Sequence, residues 1–242
     1  MELRCLGSSS SGNCYLLESA TETLILDCGL PIMEIKKGLK WNLRRVSGVL
    51  VSHSHKDHSK SLKDFETMGI PVFKPYQGDA NKKLTTSGGF TVVPFDLTTL
   101  DGSWTHTNAD GTSCPCYGFL ITHPEMGKML YITDTEFVKY KFKKINHILL
   151  GVNYDKDMID RDNVAKARHV FRGHMSIDTA CDFVKANYSD ELQNVIMCHL
   201  SNSNADSEEF IEKMQKVACR ANVDVAESNK VWILNRKGEC PF

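Results

Sequence analysis

A chain of 242 residues with 41% hydrophobic content can bury a sizeable core and falls in the length range of one two-layer or barrel-like domain, so a single domain over residues 1–242 is expected. Its formal net charge of −1 excludes a surface coated in cations that binds polyanions with its whole area, and any anion site must be local. The nine cysteines, Cys5, Cys14, Cys28, Cys114, Cys116, Cys181, Cys198, Cys219 and Cys240, are odd in number and mostly set in apolar runs, which excludes a disulfide framework and fits buried thiols of a cytosolic protein.

Met1 to Ser11 is polar and rich in glycine and serine. It lacks the apolar stretch of a secretory signal, and no apolar run reaches the length of a membrane span, so a cytoplasmic location is expected. The first elements are β-rich runs, Glu2 to Leu6, Cys14 to Glu18 and Thr23 to Asp27, separated by turn-forming Gly7 to Asn13 and Ser19 to Glu22; they read as antiparallel hairpin strands. Pro31 to Lys40 has proline in a first helical turn and apolar Ile32, Ile35 and Leu39, and it reads as a helix. Val46 to Ser52 is an apolar β-rich run that stops at His53.

Lys60 to Met68 reads as a helix, and Pro71 to Phe73 and Gly89 to Phe95 as strands. Asp96 to Pro115 lacks periodicity and is a long loop, a feature that in compact domains is usually functional or an insertion. Tyr117 to Thr122, Met129 to Thr133 and Ile145 to Val152 return to strand character, each followed by a polar residue. Helices dominate from Asp157 onward, with Ser176 to Ala186 and Asp206 to Ala221 the clearest, and Asn194 to His199 and Val231 to Leu234 are strands. Two β-rich halves with interleaved and terminal helices imply an α/β protein, a β-sandwich covered by helices.

The chemistry concentrates in Ser52-His53-Ser54-His55-Lys56-Asp57-His58. A tight loop after a strand can aim these side chains at one place, because alternate residues of an extended segment project to one side. His53 and His55 then share one metal, while Asp57 and His58 reach a second. Imidazole and carboxylate donors suit zinc, manganese or iron, and no local cysteine set points to a closed structural zinc site.

This His-x-His-x-Asp-His loop resembles the signature of the metallo-β-lactamase superfamily. The resemblance implies an αββα four-layer sandwich, two divalent metal ions and further ligands at strand ends. Asp134, after Lys128 to Thr133, and His199, after Asn194 to Cys198, match those positions. Asp27, in Leu26-Asp27-Cys28-Gly29, matches an early aspartate that orients the metal loop through hydrogen bonds. For the remaining histidine ligand His106, inside the long loop and alone between His58 and His123, is the choice, partly by elimination, since His123 in Thr122-His123-Pro124 reads more simply as a hairpin turn.

A closer resemblance, to the WalJ/YycJ branch, rests on Gly7 to Tyr15, Pro115 to Phe119, Tyr131 to Thr135, Gly173-His174-Met175-Ser176 and His199-Leu200-Ser201. It implies a 5′ exonuclease acting on DNA, in the host cytoplasm if phage-encoded, and members often form homodimers. Tyr154 in Asn153-Tyr154-Asp155 departs from the histidine that bacterial members tend to carry. The implied mechanism is a water held between two metals, with Asp57 orienting it and accepting its proton. His174 hydrogen-bonds the phosphate or protonates the leaving oxygen, or else merely neighbours a helix cap. Ser10 and Asn13 of the serine loop, with Asn153 and Tyr154, are candidate substrate contacts. Cys114-Pro115-Cys116 is left as loop structure.

Residues 139–172 hold nine Lys or Arg against four Asp, a stretch able to track a phosphate backbone or simply a solvated face. Only 65 positions separate Asp134 from His199, too few for the inserted domain of RNase J-like nucleases. The same ligands also serve small substrates, so a cyclic-nucleotide phosphodiesterase of phage anti-defence type or a lactonase or thioesterase is the alternative.

Overall fold

The computed structural model describes residues 1–78, 80–104, 106–108, 110–158, 173–201 and 205–236. In chain order the strands are β1 (Glu2–Gly7), β2 (Cys14–Glu18), β3 (Thr23–Leu26), β4 (Val46–Leu50), β5 (Val72–Phe73), β6 (Leu84–Thr85), β7 (Thr91–Asp96), β8 (Tyr117–His123), β9 (Gly127–Ile132), β10 (His147–Gly151), β11 (Asn194–Cys198), β12 (Asn222–Val225) and β13 (Val231–Ile233). The α-helices among the described residues are α1 (Ile32–Gly38), α2 (Lys56–Ser59), α3 (Leu62–Thr67), α4 (Ile177–Asn187) and α5 (Ser207–Ala218).

The strands form two sheets, one in the order β13-β1-β2-β3-β4-β5 and the other β12-β11-β10-β9-β8-β7-β6. Three apolar layers explain their stacking. Leu16, Ile25, Val49 and Val51 of the first sheet pack on Ile35 and Leu39 of the α1 region and on Phe65 of α3. The opposite faces of its strands, Leu3, Leu17, Leu24 and Leu50, meet Val92, Phe119, Tyr131 and Ile196 of the second sheet. The far side of the second sheet, with Leu130, Ile132, Ile148 and Val195, is covered by Phe183 and Val184 of α4 and Phe210 and Met214 of α5. The result is the expected α/β sandwich of four layers. Strand β10 is buried along its whole length because helices cover one face of its sheet and the other sheet covers the second. Each fully buried aliphatic side chain in these layers contributes about 1.5–3 kcal/mol of transfer free energy.

The sites of chemistry follow from strand direction. β3 and β4 are parallel, and so are β9, β10 and β11, so their carboxyl ends gather at one edge of the sandwich. There the polar residues that stop each apolar run converge. β1, β2 and β3 pair antiparallel as expected. Some boundaries differ from the sequence reading. β4 ends at Leu50 rather than Ser52. The helix read over Lys60 to Met68 is present as α3, and a further short helix, α2, precedes it, so Asp57 and His58 sit on a helical turn instead of an open turn. The last helix stops at Ala218, before Ala221, because Cys219 adopts a positive φ of 53°. Ser176 and Asp206 are the N-caps of α4 and α5, accepting hydrogen bonds from Thr179 N–H and from Glu208 and Glu209 N–H. No described helix is long and apolar enough to cross a membrane.

Candidate metal centre

The loop after β4 and the helical turn α2 bring His53, His55, Asp57 and His58 to the carboxyl edge, where Asp134 follows β9 and His199 follows β11. Their donor atoms fall into two groups, His53, His55 and His106, and Asp57, His58, Asp134 and His199, with every donor atom within 4.8 Å of the others in its group. Within the first group, His106 Nε2 lies 2.8 Å from His55 Nδ1. Within the second, His199 Nε2 is 3.6 Å from Asp57 Oδ2 and 3.7 Å from Asp134 Oδ1. Asp134 joins the two: its Oδ2 is 3.0 Å from His58 Nε2, 3.4 Å from His53 Nε2 and 3.9 Å from His106 Nε2.

His106, the histidine favoured over His123 for the remaining ligand, lies with His53 and His55. His123 sits at the end of β8 with one ring nitrogen 3.1 Å from Gly88 O and the other accepting from Glu125 N–H, far from the cluster along the strand. His106 is held by Gly173, whose backbone has φ +88° and where an added Cβ would lie 2.2 Å from His106 Nδ1. Only glycine fits that approach.

Asp27 braces the centre. Its Oδ1 accepts from Ser52 N–H at 2.8 Å, and its Oδ2 accepts from Ser52 Oγ at 2.9 Å, from Tyr131 OH, and from His58 Nδ1 at 2.6 Å. With Nδ1 fixed, His58 presents Nε2 to the centre, the arrangement by which outer carboxylates orient metal-binding imidazoles. Asp27, Asp134 and His199 all have positive φ, at 54°, 46° and 58°, an uncommon conformation for non-glycine residues that turns each side chain off its strand. Gly29 permits the loop's approach, since a Cβ there would lie 1.6 Å from Asp57 O.

Several supports carried no signal that singled them out. Ser8 Oγ accepts from His199 N–H at 3.0 Å and from Tyr15 OH at 3.0 Å. Asn153, read as a substrate contact, is buried and turned inward: its Nδ2 donates to His199 O at 2.9 Å and lies 3.3 Å from His199 Nδ1. Tyr154 is buried beside it, bridged through its backbone to Ser176. Asn13 is buried with Nδ2 3.0 Å from His58 Nε2, while Ser10 is exposed on the turn. His174 lies with Nδ1 3.7 Å from Asp134 Oδ1, its ring stacked on that of His199 at 5.4 Å. Cys114 is buried against Ser54, with sulfur 3.7 Å from Ser54 Oγ. Of the basic stretch, residues 159–172 lie outside the described residues, and Lys139 is engaged with Asp96 at 2.6 Å.

The electrostatics suit a divalent cation. Burial holds His53 well below the usual histidine range and lowers His106 as well, so their lone pairs stay available. Burial opposes charge on Asp134, yet His199, His58 and His174 outweigh it and keep its carboxyl ionised far below the usual range. Asp57 is depressed in the same way, with burial outweighed by the neighbouring imidazoles of His199 and His58 at 3.6 and 3.4 Å. Metal ligands must be deprotonated; His53, His106, Asp57 and Asp134 are held in that form, whereas, against burial, the facing carboxylates raise His58 and His199, and Cys114 raises His55, so these three would release protons as a cation binds. The fit is sharpened by two buried nitrogens, His53 Nε2 and His199 Nε2, that have no hydrogen-bond partner. A buried orphan of this kind costs about 1–3 kcal/mol, and coordination relieves it.

Comparison with known proteins agrees with this geometry. Residues 9–109 match the family model of the metallo-beta-lactamase superfamily, a span that includes the histidine loop and His106. The chain is 25% identical over 222 aligned residues to the exodeoxyribonuclease YycJ of Bacillus anthracis, covering 82% of each protein. Among solved structures it is similar to the metallo-beta-lactamase fold protein YhfI of Bacillus subtilis, with TM-score 0.64, 17% identity and coverage of 96% and 98%. It is also similar to the short form of human tRNase Z, with TM-score 0.58, 15% identity and coverage of 97% and 99%.

Proposed function

From the premise that this chain is a metallo-hydrolase carrying a metallo-β-lactamase superfamily domain, we propose that it is a metal-dependent phosphodiesterase that removes nucleotides from a 5′ end of DNA in the cytoplasm. The observation that carries the two-metal part is Asp134, whose single Oδ2 faces His53, His58 and His106 within 3.0–3.9 Å. A carboxylate shared between two donor groups is what a pair of neighbouring cations requires. The nucleic-acid part is supported by the relative whose name records exodeoxyribonuclease activity, matched over 82% of both chains.

In this reading His53, His55 and His106 would hold one ion and Asp57, His58, Asp134 and His199 the other, with Asp134 also facing the first group. Two zinc or manganese ions bound there supply Lewis acidity and make a water nucleophilic near neutral pH. The chain's own residues do the rest. Asp57, ionised and facing His199 and His58, orients the water and accepts its proton on a carboxylate oxygen. His174, partly exposed at the rim and stacked on His199, donates a proton from its ring to the leaving oxygen. Ser8 and Asn153 hold His199 in its turned conformation through its N–H and C=O.

The test is to incubate metal-reconstituted protein and a His55→Ala/Asp57→Ala control with end-labelled duplex DNA, single-stranded DNA, RNA and a panel of cyclic nucleotides. Stepwise mononucleotide release from a DNA 5′ end, absent from the control, is the expected result. Turnover of a cyclic nucleotide with polymers untouched would replace the nuclease by a small-substrate phosphodiesterase.

A further inference from the structure

Beside the metal centre the surface carries two large apolar side chains that the fold does not use. Leu100 is 84% exposed and Phe137 is 43% exposed, and together with Thr99, Asp101 and Ser103 they line one cleft of about 580 Å³. An exposed leucine alone needs no explanation, but two apolar side chains sharing a cleft mark a contact surface.

Both walls are held in place. Phe137 follows Asp134 by three residues, so its Cα lies within about 11 Å of the Asp134 Cα by chain reach alone. Its position is fixed by Thr135, whose Oγ1 donates to Phe137 O at 2.8 Å and accepts from Phe137 N–H at 3.3 Å. The neighbouring Glu136 accepts from Gly173 N–H at 2.9 Å, tying this wall to the segment that carries His174. Lys139 bonds to Thr98 Oγ1 at 2.5 Å and to Asp96 at 2.6 Å, which docks the same segment against the start of the opposite wall. That wall is the turn Thr99 to Ser103. Its polar groups are satisfied within it: Thr99 Oγ1 donates to Asp101, Asp101 Oδ1 accepts from Ser103 N–H at 3.1 Å, and Ser103 O accepts from Thr99 N–H. What the turn presents outward is therefore the Leu100 side chain.

We propose that this cleft is a nucleobase slot, in which Phe137 stacks on one base of the DNA strand while Leu100 closes over the other face. The inference rests on the nucleic-acid reading above. The occupant follows from chemistry and distance. The one carboxylate in the slot is engaged by its own turn and no cation lines it among the described residues, so these offer a phosphate nothing, whereas every base has an apolar π-face. A strand rises 3.4 Å per phosphate in a duplex, so a slot whose Phe137 backbone lies within about 11 Å of the Asp134 backbone meets a base within the first few nucleotides of the scissile phosphate.

The experiment compares the metal-loaded wild type with Phe137→Ala, Leu100→Ser and Phe137→Trp on two substrates. One is a DNA strand, with and without a single abasic site placed at each of its first positions. The other is methyl p-nitrophenyl phosphate, a phosphodiester with no base. The expected result is a loss in kcat/KM of about tenfold on DNA for Phe137→Ala, a smaller loss for Leu100→Ser, recovery with Phe137→Trp, and unchanged turnover of the small ester. One abasic position should reproduce the loss in the wild type and add nothing in Phe137→Ala. DNA cleavage at equal rates by all four proteins overturns the slot while leaving the nuclease intact, and so does an equal loss on the small ester. Turnover of the ester with DNA untouched removes the nucleic-acid reading and the slot with it.

Discussion

Strands β9, β10 and β11 carry buried polar side chains at both of their ends, and the two ends use them differently. At the amino end, His147 is fully buried with one ring nitrogen 3.1 Å from Met126 O and the other 2.9 Å from Asn194 Nδ2. Asn146 accepts from Lys128 N–H and donates to Glu191 O. Every one of these bonds joins neighbouring strands and loops. At the carboxyl end, His53 Nε2 and His199 Nε2 have no partner, and two carboxylates, Asp57 and Asp134, face the imidazoles across 3.0–3.6 Å. A buried histidine is a brace when both ring nitrogens are satisfied inside the protein. It is a ligand candidate when one is held, as His58 Nδ1 is by Asp27, and the other is aimed at empty donor-rich space.

The comparison breaks most visibly at Asp134. Asp134→Asn removes the charge that both donor groups share, and activity should fall by more than the roughly 100-fold that loss of an outer-shell partner costs, with bound metal per chain reduced. Thermal stability of the metal-free chain should fall, since His58, His199 and His174 lose the carboxylate that faces them in the buried centre. Metal analysis and melting of the same preparation check both parts, and a chain that keeps its full metal content and rate would remove Asp134 from the centre. Asp27→Asn should act at one remove. It keeps the hydrogen-bond acceptor for Ser52 but weakens the grip on His58 Nδ1, so a loss of about 10–100-fold in activity or metal affinity is expected. An affinity titration against the wild type measures it, and an unchanged affinity would make Asp27 a brace like His147.

How much of this was legible in the chain depends on how local the information was. The four donors from His53 to His58 were readable because they lie in one short segment behind an apolar strand. The strand ends at Asp134 and His199 were visible as polar stops, but their role came through family resemblance, since an aspartate or histidine after a strand is ordinarily a turn or core residue. His106 was favoured over His123 partly by elimination, because the deciding difference is tertiary: Gly173 presses on the first and Gly88 O accepts from the second. Asn153, read as a substrate contact, has a direction that is tertiary for the same reason. Its amide points inward to His199, and nothing in Asn153-Tyr154-Asp155 encodes that direction. The helix read over Lys60 to Met68 is found at Leu62 to Thr67, but the helical turn at Lys56 to Ser59, which carries two of the donors, is too short to leave a periodic signal.

At the amino end the expected effect is on stability alone. Burial pushes the His147 imidazole down from its usual 6.5 to about 4, outweighing the hydrogen bonds to Met126 and Asn235. The folded chain therefore refuses a proton that the unfolded chain accepts between those two values. Stability is fully present above pH 6.5 and is lost as pH falls toward 4, by about 3 kcal/mol if the whole shift is expressed. His147→Leu should flatten that part of the pH profile. At neutral pH it should cost about 2–4 kcal/mol, because Met126 O and Asn194 Nδ2 are left without their partner. Urea unfolding of the metal-loaded wild type and variant at pH 7 and pH 5 reads both effects, and the rate per folded molecule should not change. A variant that unfolds with the same acid dependence as the wild type would shift the titration to the ligand histidines and undo the division between the two ends.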